Sequence, residues 1–529
     1  MNENLWRFYF FSENGTEYCF DCFTHKIFSL SSDLKTLLEA GDYKKVKHGY
    51  KKFYKSILCK EIFKPEILQE NKCCITINFS NNCNLNCSYC YRNKAEKSKL
   101  EIKDAERILQ FALEEYMPDA ESYSFTGCMT SESSLDLNYL KAFDTAIAKY
   151  EGYLFSSEIL SENDAEALFF KLPKTIISKY SDDTLYFVER LNQILYNEKL
   201  WKFYDYSENE YLVSMFKTTD VLSVSKTLTA NRQILNKEFE EFNLETKIKN
   251  ISMWFMTNGS RISDDYISYL KSIYMDNVMV SIDGKEEIHN KARKYNDESG
   301  SFSDVLAGIR KLQNAGIKVT ASVVIIPENP CLLETVDYLM SLGIEKVSFN
   351  LARGRAASAQ FSKHSMDLLI DDFRKIYDKV YAEMISGNYR LISALKDTML
   401  FSCIKKIYYR AYLTARCHWG KEVVIDSKGN MYHCNSTIGC SSDLIGNYRN
   451  HVTYKDVNIL KRVDDYERCT KCFAKYLCGG TCYAEEIVGN KNNFDMECHY
   501  RKELIKIGME FYVRLHRNDL LDDFIKAVA

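Results

Sequence analysis

Ten of the chain's 19 cysteines fall into two groups whose spacings leave few choices for what the surrounding chain must build. The first is Cys83-Asn-Leu-Asn-Cys87-Ser-Tyr89-Cys90, three thiols within eight residues, directly after an apolar stretch. The second opens at Cys417, passes Gly429 and Cys434, continues as Cys469-x2-Cys472-x5-Cys478-x3-Cys482 and ends at Cys498. Thiolate is the soft ligand that iron–sulfur clusters require, and short spacings let one loop wrap a cube without crossing itself. Structural thiols scatter instead through apolar segments, as Cys19, Cys22, Cys59 and Cys331 do. Disulfides suit neither an odd cysteine total nor the polar start Met1-Asn-Glu-Asn, which has no apolar signal region. Zinc competes for Cys469, Cys472, Cys478 and Cys482, because CxxC pairs commonly hold it. It does not account for the first group, where no fourth thiol follows. A cube held by three cysteines keeps one iron open for chemistry.

The rest of the chain alternates between strand and helix patterns. Cys74–Phe79 alternates and is β-branched, a strand that delivers the first cysteine loop. Residues 102–117 carry apolar side chains at helical spacing and stop before Pro118. Further strands are expected at Ser122–Thr126, Ile251–Thr257, Asn277–Asp283, Lys318–Ile326 and Lys346–Leu351, with a helix at 304–315 ended by Gly316. Such alternation implies parallel βαβ units, and six of them make a partial (β/α)6 barrel, an α/β fold of the TIM-like kind. Active sites of such barrels lie at the strand C-terminal ends.

The cysteine triplet resembles the CxxxCxφC signature of radical S-adenosylmethionine (radical SAM) enzymes, with Tyr89 as the aromatic φ. The resemblance implies a 4Fe–4S cluster on Cys83, Cys87 and Cys90 whose open iron chelates S-adenosylmethionine. Cleavage of the sulfonium then gives a 5′-deoxyadenosyl radical that abstracts substrate hydrogen, chemistry that belongs to the cofactor. Asn258-Gly259 resembles the family's T-N-G strand end, Ser281-Ile-Asp283-Gly284 its S-I-D-G element, and His289-x3-Arg293 the H-x-x-x-R that follows. By resemblance, Tyr89, Glu132, Asn258, Ser281 and Arg293 contact the cofactor, Ser281 at the ribose and Arg293 at the methionine carboxylate. An Arg fork suits a planar carboxylate. The chain departs from the family's G-G-E-P, reading Thr126-Gly-Cys-Met-Thr-Ser-Glu132-Ser-Ser-Leu135, with Glu132 standing in for the acid and Cys128 read as a buried thiol.

The C-terminal cysteines resemble the SPASM extension, in which two further 4Fe–4S clusters lie beyond the barrel. The resemblance assigns Cys469, Cys472, Cys478 and Cys498 to the outer cluster, and Cys417, Cys434 and Cys482 to the inner one. The inner cluster's fourth ligand is Cys403 or Cys440, with Cys403 preferred, or the iron stays open. Three clusters and S-adenosylmethionine are therefore the expected cofactors, with a flavodoxin- or ferredoxin-type electron donor.

Five segments are expected: an N-terminal module at 1–70, the barrel at 71–360, bridging helices at 361–402, the SPASM domain at 403–510 and a C-terminal helix at 511–529. The first opens on a β-hairpin, Trp6–Phe11 and Tyr18–Phe23 around a Glu13-Asn-Gly15 turn, followed by a Lys- and Tyr-rich helical stretch near 32–63. It resembles the leader-peptide-recognition module of ribosomal-peptide maturases, and an exposed strand edge there suits an extended peptide. Residues 150–248 form an insertion without cysteine or histidine, read as a helical cap or a passive ornament. A net charge of −3 lacks the excess of a nucleic-acid binder, and no apolar run reaches the ~20 residues of a membrane span. Oxygen-sensitive clusters imply a reducing cytoplasm. The resemblance thus points to an oxidoreductase that modifies a precursor peptide, for example by a thioether crosslink. An anaerobic sulfatase-maturing enzyme is the alternative, although such enzymes place a catalytic Asp where this chain has Asn435. A non-catalytic, metal-bound peptide-binding protein is the reading of another class.

Overall fold

Apolar, β-branched segments followed by amphipathic helices generate the central sheet of the computed structural model. The structure describes residues 5–58, 72–90, 98–120, 122–127, 131–157, 250–273, 275–353, 356, 359–415, 422–450, 462–480, 482–488 and 491–529. The insertion expected at 150–248 lies outside these residues except for its first turns, which continue the helix Leu137–Ser157. Cys417, Cys59 and Cys128 also lie outside them.

The expected six parallel strands are present: β4 (Lys72–Ile77), β5 (Ser122–Gly127), β6 (Asn250–Thr257), β7 (Asn277–Ser281), β8 (Lys318–Ile325) and β9 (Lys346–Leu351), each paired in parallel with the next. Their helices bury apolar stripes on the sheet. In Phe302–Asn314 the stripe is Phe302, Val305, Ile309 and Leu312, spaced three and four apart. A Cβ at Gly308 would lie 2.0 Å from the Gly259 carbonyl oxygen, so a glycine there lets this helix sit directly on the strand end that carries Asn258. The helix expected at 102–117 forms as an α segment, Asp104–Gln110, that widens into a π segment, Phe111–Tyr116.

The sheet does not end at β4. β10 (Glu422–Ile425) adds to it in parallel, Glu422 opposite Cys74 and Ile425 opposite Ile77. β11 (Asn430–Tyr432) and β12 (Leu444–Asn447) follow antiparallel, giving the order β12-β11-β10-β4-β5-β6-β7-β8-β9. Val423, Val424 and Ile425 are fully buried, which explains why this strand seeks the sheet rather than solvent. Gly429 turns β10 into β11 at φ +87°, where a Cβ would meet the Arg449 guanidinium at 2.4 Å.

At the N-terminus, β1 (Phe8–Glu13) and β2 (Thr16–Asp21) form the expected hairpin, and a third strand, β3 (Lys26–Ser29), joins β2 antiparallel. Short helices over Ser32–Ala40, Tyr43–Gly49 and Lys51–Leu58 cover one face. The other face packs on the second cysteine group: Tyr9 stacks on Phe473 with centroids 4.4 Å apart, and Phe11, Phe20 and Cys22 share a core with Cys469. The helix Lys491–Arg517 crosses position 510 without a break and is followed by Leu521–Val528. No helix among the described residues is long and apolar enough to cross a membrane.

Candidate functional site

The first cysteine loop leaves β4 and is sewn onto the segment after β7. Asn86 N–H donates to the Lys294 carbonyl at 2.7 Å, Ser88 N–H to the Ala292 carbonyl at 2.9 Å, and Leu85 bridges to Tyr295. At its base, the Ser80 hydroxyl donates to the Asp136 carboxylate at 2.8 Å. Burial pushes the Cys87 thiol up to about 11; the Arg293 guanidinium opposes this, while Cys90 and Cys83 add to it. Three half-buried thiols close enough to feel one another, facing a fixed cation, form a donor set that fits an iron–sulfur cluster, since metal binding takes the protons off. Among the described residues, no three His, Cys, Asp or Glu side chains close around a point as the ligands of a single ion do.

The expected cofactor residues converge beside this loop at the strand ends. Asn258 places its amide nitrogen 3.8 Å from the Cys83 sulfur and donates to Asn84 Oδ1 at 2.9 Å. Glu132, 1% exposed, accepts from the Asn258 N–H at 2.6 Å, from the Thr257 hydroxyl, and from both Ser134 donors at 3.0–3.1 Å. Burial raises its pKa, and these bonds oppose the rise. Its carboxylate therefore braces the β6 end with the protein's own donors. Ser281 ends β7 opposite Ser322 and is nearly buried.

Arg293 is committed as well. Its Nε and one Nη donate to Asp283 at 2.8 and 3.2 Å, and it is 6% exposed. The same Asp283 carboxylate receives the Tyr89 hydroxyl at 2.7 Å and the Val324 N–H at 2.9 Å. Asp283 is thus the hub that joins the cysteine loop, β7, β8 and the Arg. In the sequence its one signal is a carboxylate at the end of an apolar strand.

His289 locks this arrangement from below. Its Nδ1 faces the Asp283 N–H at 3.4 Å, its Nε2 lies 3.0 Å from the Ser301 hydroxyl, and that hydroxyl donates to the Arg293 carbonyl at 2.9 Å. Burial holds His289 down at about 4. The unfolded chain binds a proton near pH 6.5 that the folded chain refuses until about pH 4, so stability is lost as pH falls through that window. We expect about 2 kcal/mol of loss between pH 7 and pH 5 from this group, read from urea midpoints. His25, buried against Tyr412 and also lowered to about 4, adds to the slope, so a His289→Gln variant should lose only part of it.

The second cysteine group divides in space. Cys469 is pushed up to about 12, by burial first and then by Cys478, Cys472 and Cys498. Cys472 and Cys498 are also raised, each by burial first, with Cys478 contributing. These four thiols, the expected outer set, form one mutually interacting donor group that fits a cluster. Cys434 and Cys482 pack elsewhere, in a small cluster with Cys440, Ala484 and Val488. Arg353 Nη1 donates to the Cys482 sulfur at 3.7 Å. Cys403, expected near this inner pair, is instead wedged between the helices Ser402–Tyr409 and Lys491–Arg517, 4% exposed, its thiol on the Ile505 carbonyl at 3.6 Å. Its core is the one that contains Cys469 and Cys472, not Cys434 or Cys482. Asn435 accepts from the Asn78 amide at 3.0 Å.

Known proteins share this fold. Residues 205–339 match the model of the Radical SAM superfamily, a span that contains β6, β7 and β8 and lies C-terminal to the cysteine triplet. The chain is 26% identical over 180 residues to the Fe-coproporphyrin III synthase of Methanosarcina barkeri, 31% of this chain and 44% of that protein. It is 23% identical over 221 residues to a cysteine-type anaerobic sulfatase-maturating enzyme of Clostridium novyi, 38% of this chain and 54% of that one. The chain thus matches about half the length of these curated relatives. Native anSMEcpe with bound AdoMet has the same fold at a TM-score of 0.54 and 14% identity, covering 84% of this chain and 99% of that chain. The form of that protein with AdoMet and the Kp18Cys peptide gives 0.52 at 15% identity, with coverage of 84% and 99%.

Proposed function

We propose, from the premise that this chain is a member of the radical SAM superfamily, that it is a peptide maturase that oxidises and crosslinks a ribosomally made precursor. Cys83, Cys87 and Cys90 would hold the cluster that binds S-adenosylmethionine. When bound, the cluster and S-adenosylmethionine supply a 5′-deoxyadenosyl radical for hydrogen abstraction. The chain's own residues orient and shield this site. Asn258 caps the sulfur of Cys83, Glu132 fixes the strand end behind it, and Asp283 holds the Arg293 guanidinium over the Tyr89 ring of the loop. Cys469, Cys472, Cys478 and Cys498 would hold the outer auxiliary cluster, and Cys417, Cys434 and Cys482 the inner one. These offer an exit for the electron that oxidation releases, with a flavodoxin- or ferredoxin-type donor supplying the reducing one.

The observation that carries the peptide reading is the outer edge of β3. Among the described residues β3 pairs only with β2, and it borders a groove of about 560 Å³ shared with the two helices beneath. Lys26, Arg410, His516 and Arg517 line it beside Phe28 and Tyr512, which suits an extended peptide with acidic and apolar residues. Leu30 N–H bonds back to Glu17, so by antiparallel alternation the Ile27 and Ser29 N–H groups point away from β2 toward such a partner.

The test is anaerobic reconstitution, S-adenosylmethionine, reductant and the short peptide encoded beside the gene. About twelve irons per chain, 5′-deoxyadenosine and a loss of peptide mass in units of two hydrogens are expected. An Ile27→Pro variant should weaken peptide binding at least tenfold while peptide-independent 5′-deoxyadenosine formation stays the same. Sulfatase maturation is the second reading, favoured by the fold shared with anSMEcpe and opposed by Asn435, whose amide cannot take a proton as a carboxylate does. Modification of a sulfatase-derived peptide, with the neighbouring peptide unchanged, would establish it. Absence of 5′-deoxyadenosine altogether would leave only a binding role.

A further inference from the structure

We propose that the outer cysteine loop is the seat of the N-terminal sheet, so that loading a cluster on Cys469, Cys472, Cys478 and Cys498 tightens the sheet's docking and sets the shape of the β3 groove. The inference rests on the reading that these four thiols hold a cluster, and it gives the peptide groove proposed above a regulator.

Five residues separate Cys472 from Cys478, and the sheet grips three of them. Phe473 stacks on Tyr9 with ring centroids 4.4 Å apart. The Lys475 ammonium lies 4.7 Å from the Trp6 ring centre, 5.8 Å from that of Phe23 and 2.7 Å from the Asp464 carboxylate. Lys475 is 6% exposed, so its charge is held by aromatic faces and one carboxylate rather than by water. The Tyr476 ring lies 6.3 Å from that of Phe23. The contact also reaches a ligand residue: the Cys22 thiol donates to the Cys472 carbonyl at 3.9 Å. Phe11, Phe20 and Phe23 share one core with Cys469, Ala474 and Leu477. The underside of the sheet is therefore completed by the loop that carries the thiols.

That loop has little structure of its own. Its helical parts are two single turns, Glu467–Thr470 and Lys475–Cys478, too short to hold a shape unaided. Four thiolates drawn onto one cluster would tie it at three points and join it to the helix Lys491–Arg517 through Cys498. Without that tie Phe473 and Lys475 lose their fixed positions, and the sheet loses its partner surface. Coupling through a shared element is reciprocal, so docking must tighten the cluster by the factor that the cluster tightens docking. Other anchors bypass the loop: Arg514 Nε donates to Glu13 at 3.3 Å, and the Tyr412 hydroxyl to the Phe23 carbonyl at 2.8 Å. The sheet thus stays attached on a looser seat. The groove feels the change because Lys26, Ile27 and Phe28 form its sheet wall, while Arg410, Tyr512 and Arg517 form the opposite one.

Hydrogen exchange read by mass spectrometry tests this on the full chain, with Cys83, Cys87 and Cys90 replaced by alanine so that only the auxiliary sites are loaded. The reconstituted protein is compared with the same protein after chelation. Chelation should speed exchange of the β1–β3 amides about tenfold, a size typical of coupled sites, and leave β7 and β8 unchanged. Equal β1–β3 exchange in the two states overturns the proposal, as does a loss of protection that reaches β7 and β8 equally. Because chelation strips both auxiliary sites, Cys498→Ala is added to isolate the outer one, and its β1–β3 exchange should be fast before any chelator. In the reverse direction, Tyr9→Ala should release outer-cluster iron to a chelator about tenfold faster, and an unchanged rate overturns the coupling. If Cys498→Ala holds as much iron as its parent, the outer cluster falls and the proposal with it; lost iron with unchanged exchange overturns the coupling alone. Coupled exchange in a protein that modifies no peptide would sustain the coupling and remove only the peptide reading.

Discussion

Replacing Asp283 by alanine should destabilise the barrel by about 3–5 kcal/mol and detach the first cysteine loop from the sheet. The guanidinium of Arg293 is almost fully buried, and Asp283 is the carboxylate that takes two of its donors. Removing the acid leaves that charge in the interior without its counterion, which is far worse than never having buried the pair. Two further bonds go with it. The Tyr89 hydroxyl loses its acceptor, which frees the residue between Cys87 and Cys90, and the Val324 N–H loses the cap that joins β8 to the site. The expected observation is a lower midpoint of urea unfolding in Asp283→Ala, with iron bound to the triplet lost more readily to chelator. Asp283→Ala combined with Arg293→Met should recover much of the midpoint, because no unpaired charge remains. If the double variant is no more stable than the single one, the pair is not what carries the stability.

Replacing Cys83, Cys87 and Cys90 together should have the largest effect on chemistry. The fold is expected to survive, since the loop hangs on backbone bonds at Asn86 and Ser88 and on the base contact of Ser80 with Asp136. Iron should fall by about four atoms per chain and 5′-deoxyadenosine formation to background, while the auxiliary signals persist. Retention of 5′-deoxyadenosine would place the reactive cluster elsewhere. Asn258→Ala makes a graded companion: it removes the amide beside the Cys83 sulfur and the bond to Asn84 and leaves all three thiols.

The cysteine triplet and the T-N-G and S-I-D-G strand ends were legible because each is a local pattern. Ligand spacing within one loop and apolar periodicity within one element are properties of a few consecutive residues, and the folded chain keeps those residues together. Glu132 was located but its present occupation was not, because Thr257 and Asn258, which saturate it, arrive from another strand. Asp283 and His289 show the same limit. Both stand in quoted motifs, but their roles come from Tyr89, Val324 and Ser301, partners that only the folded sheet brings within reach.

From the amino-acid order alone come the parallel α/β core and the division of the cysteines into a barrel loop and a later group. These depend on period and spacing, which survive in an isolated segment. The tertiary structure decided that β10 extends the sheet beside β4, some 350 residues earlier in the chain, and that Cys434 follows β11 at that edge of the sheet. It decided that the N-terminal sheet rests on the outer cysteine loop and that Cys440 rather than Cys403 lies with Cys434 and Cys482. Each of these is a meeting of two surfaces distant in sequence. It is selected by the apolar area and polar partners that the pair can bury together, a quantity that neither segment encodes by itself.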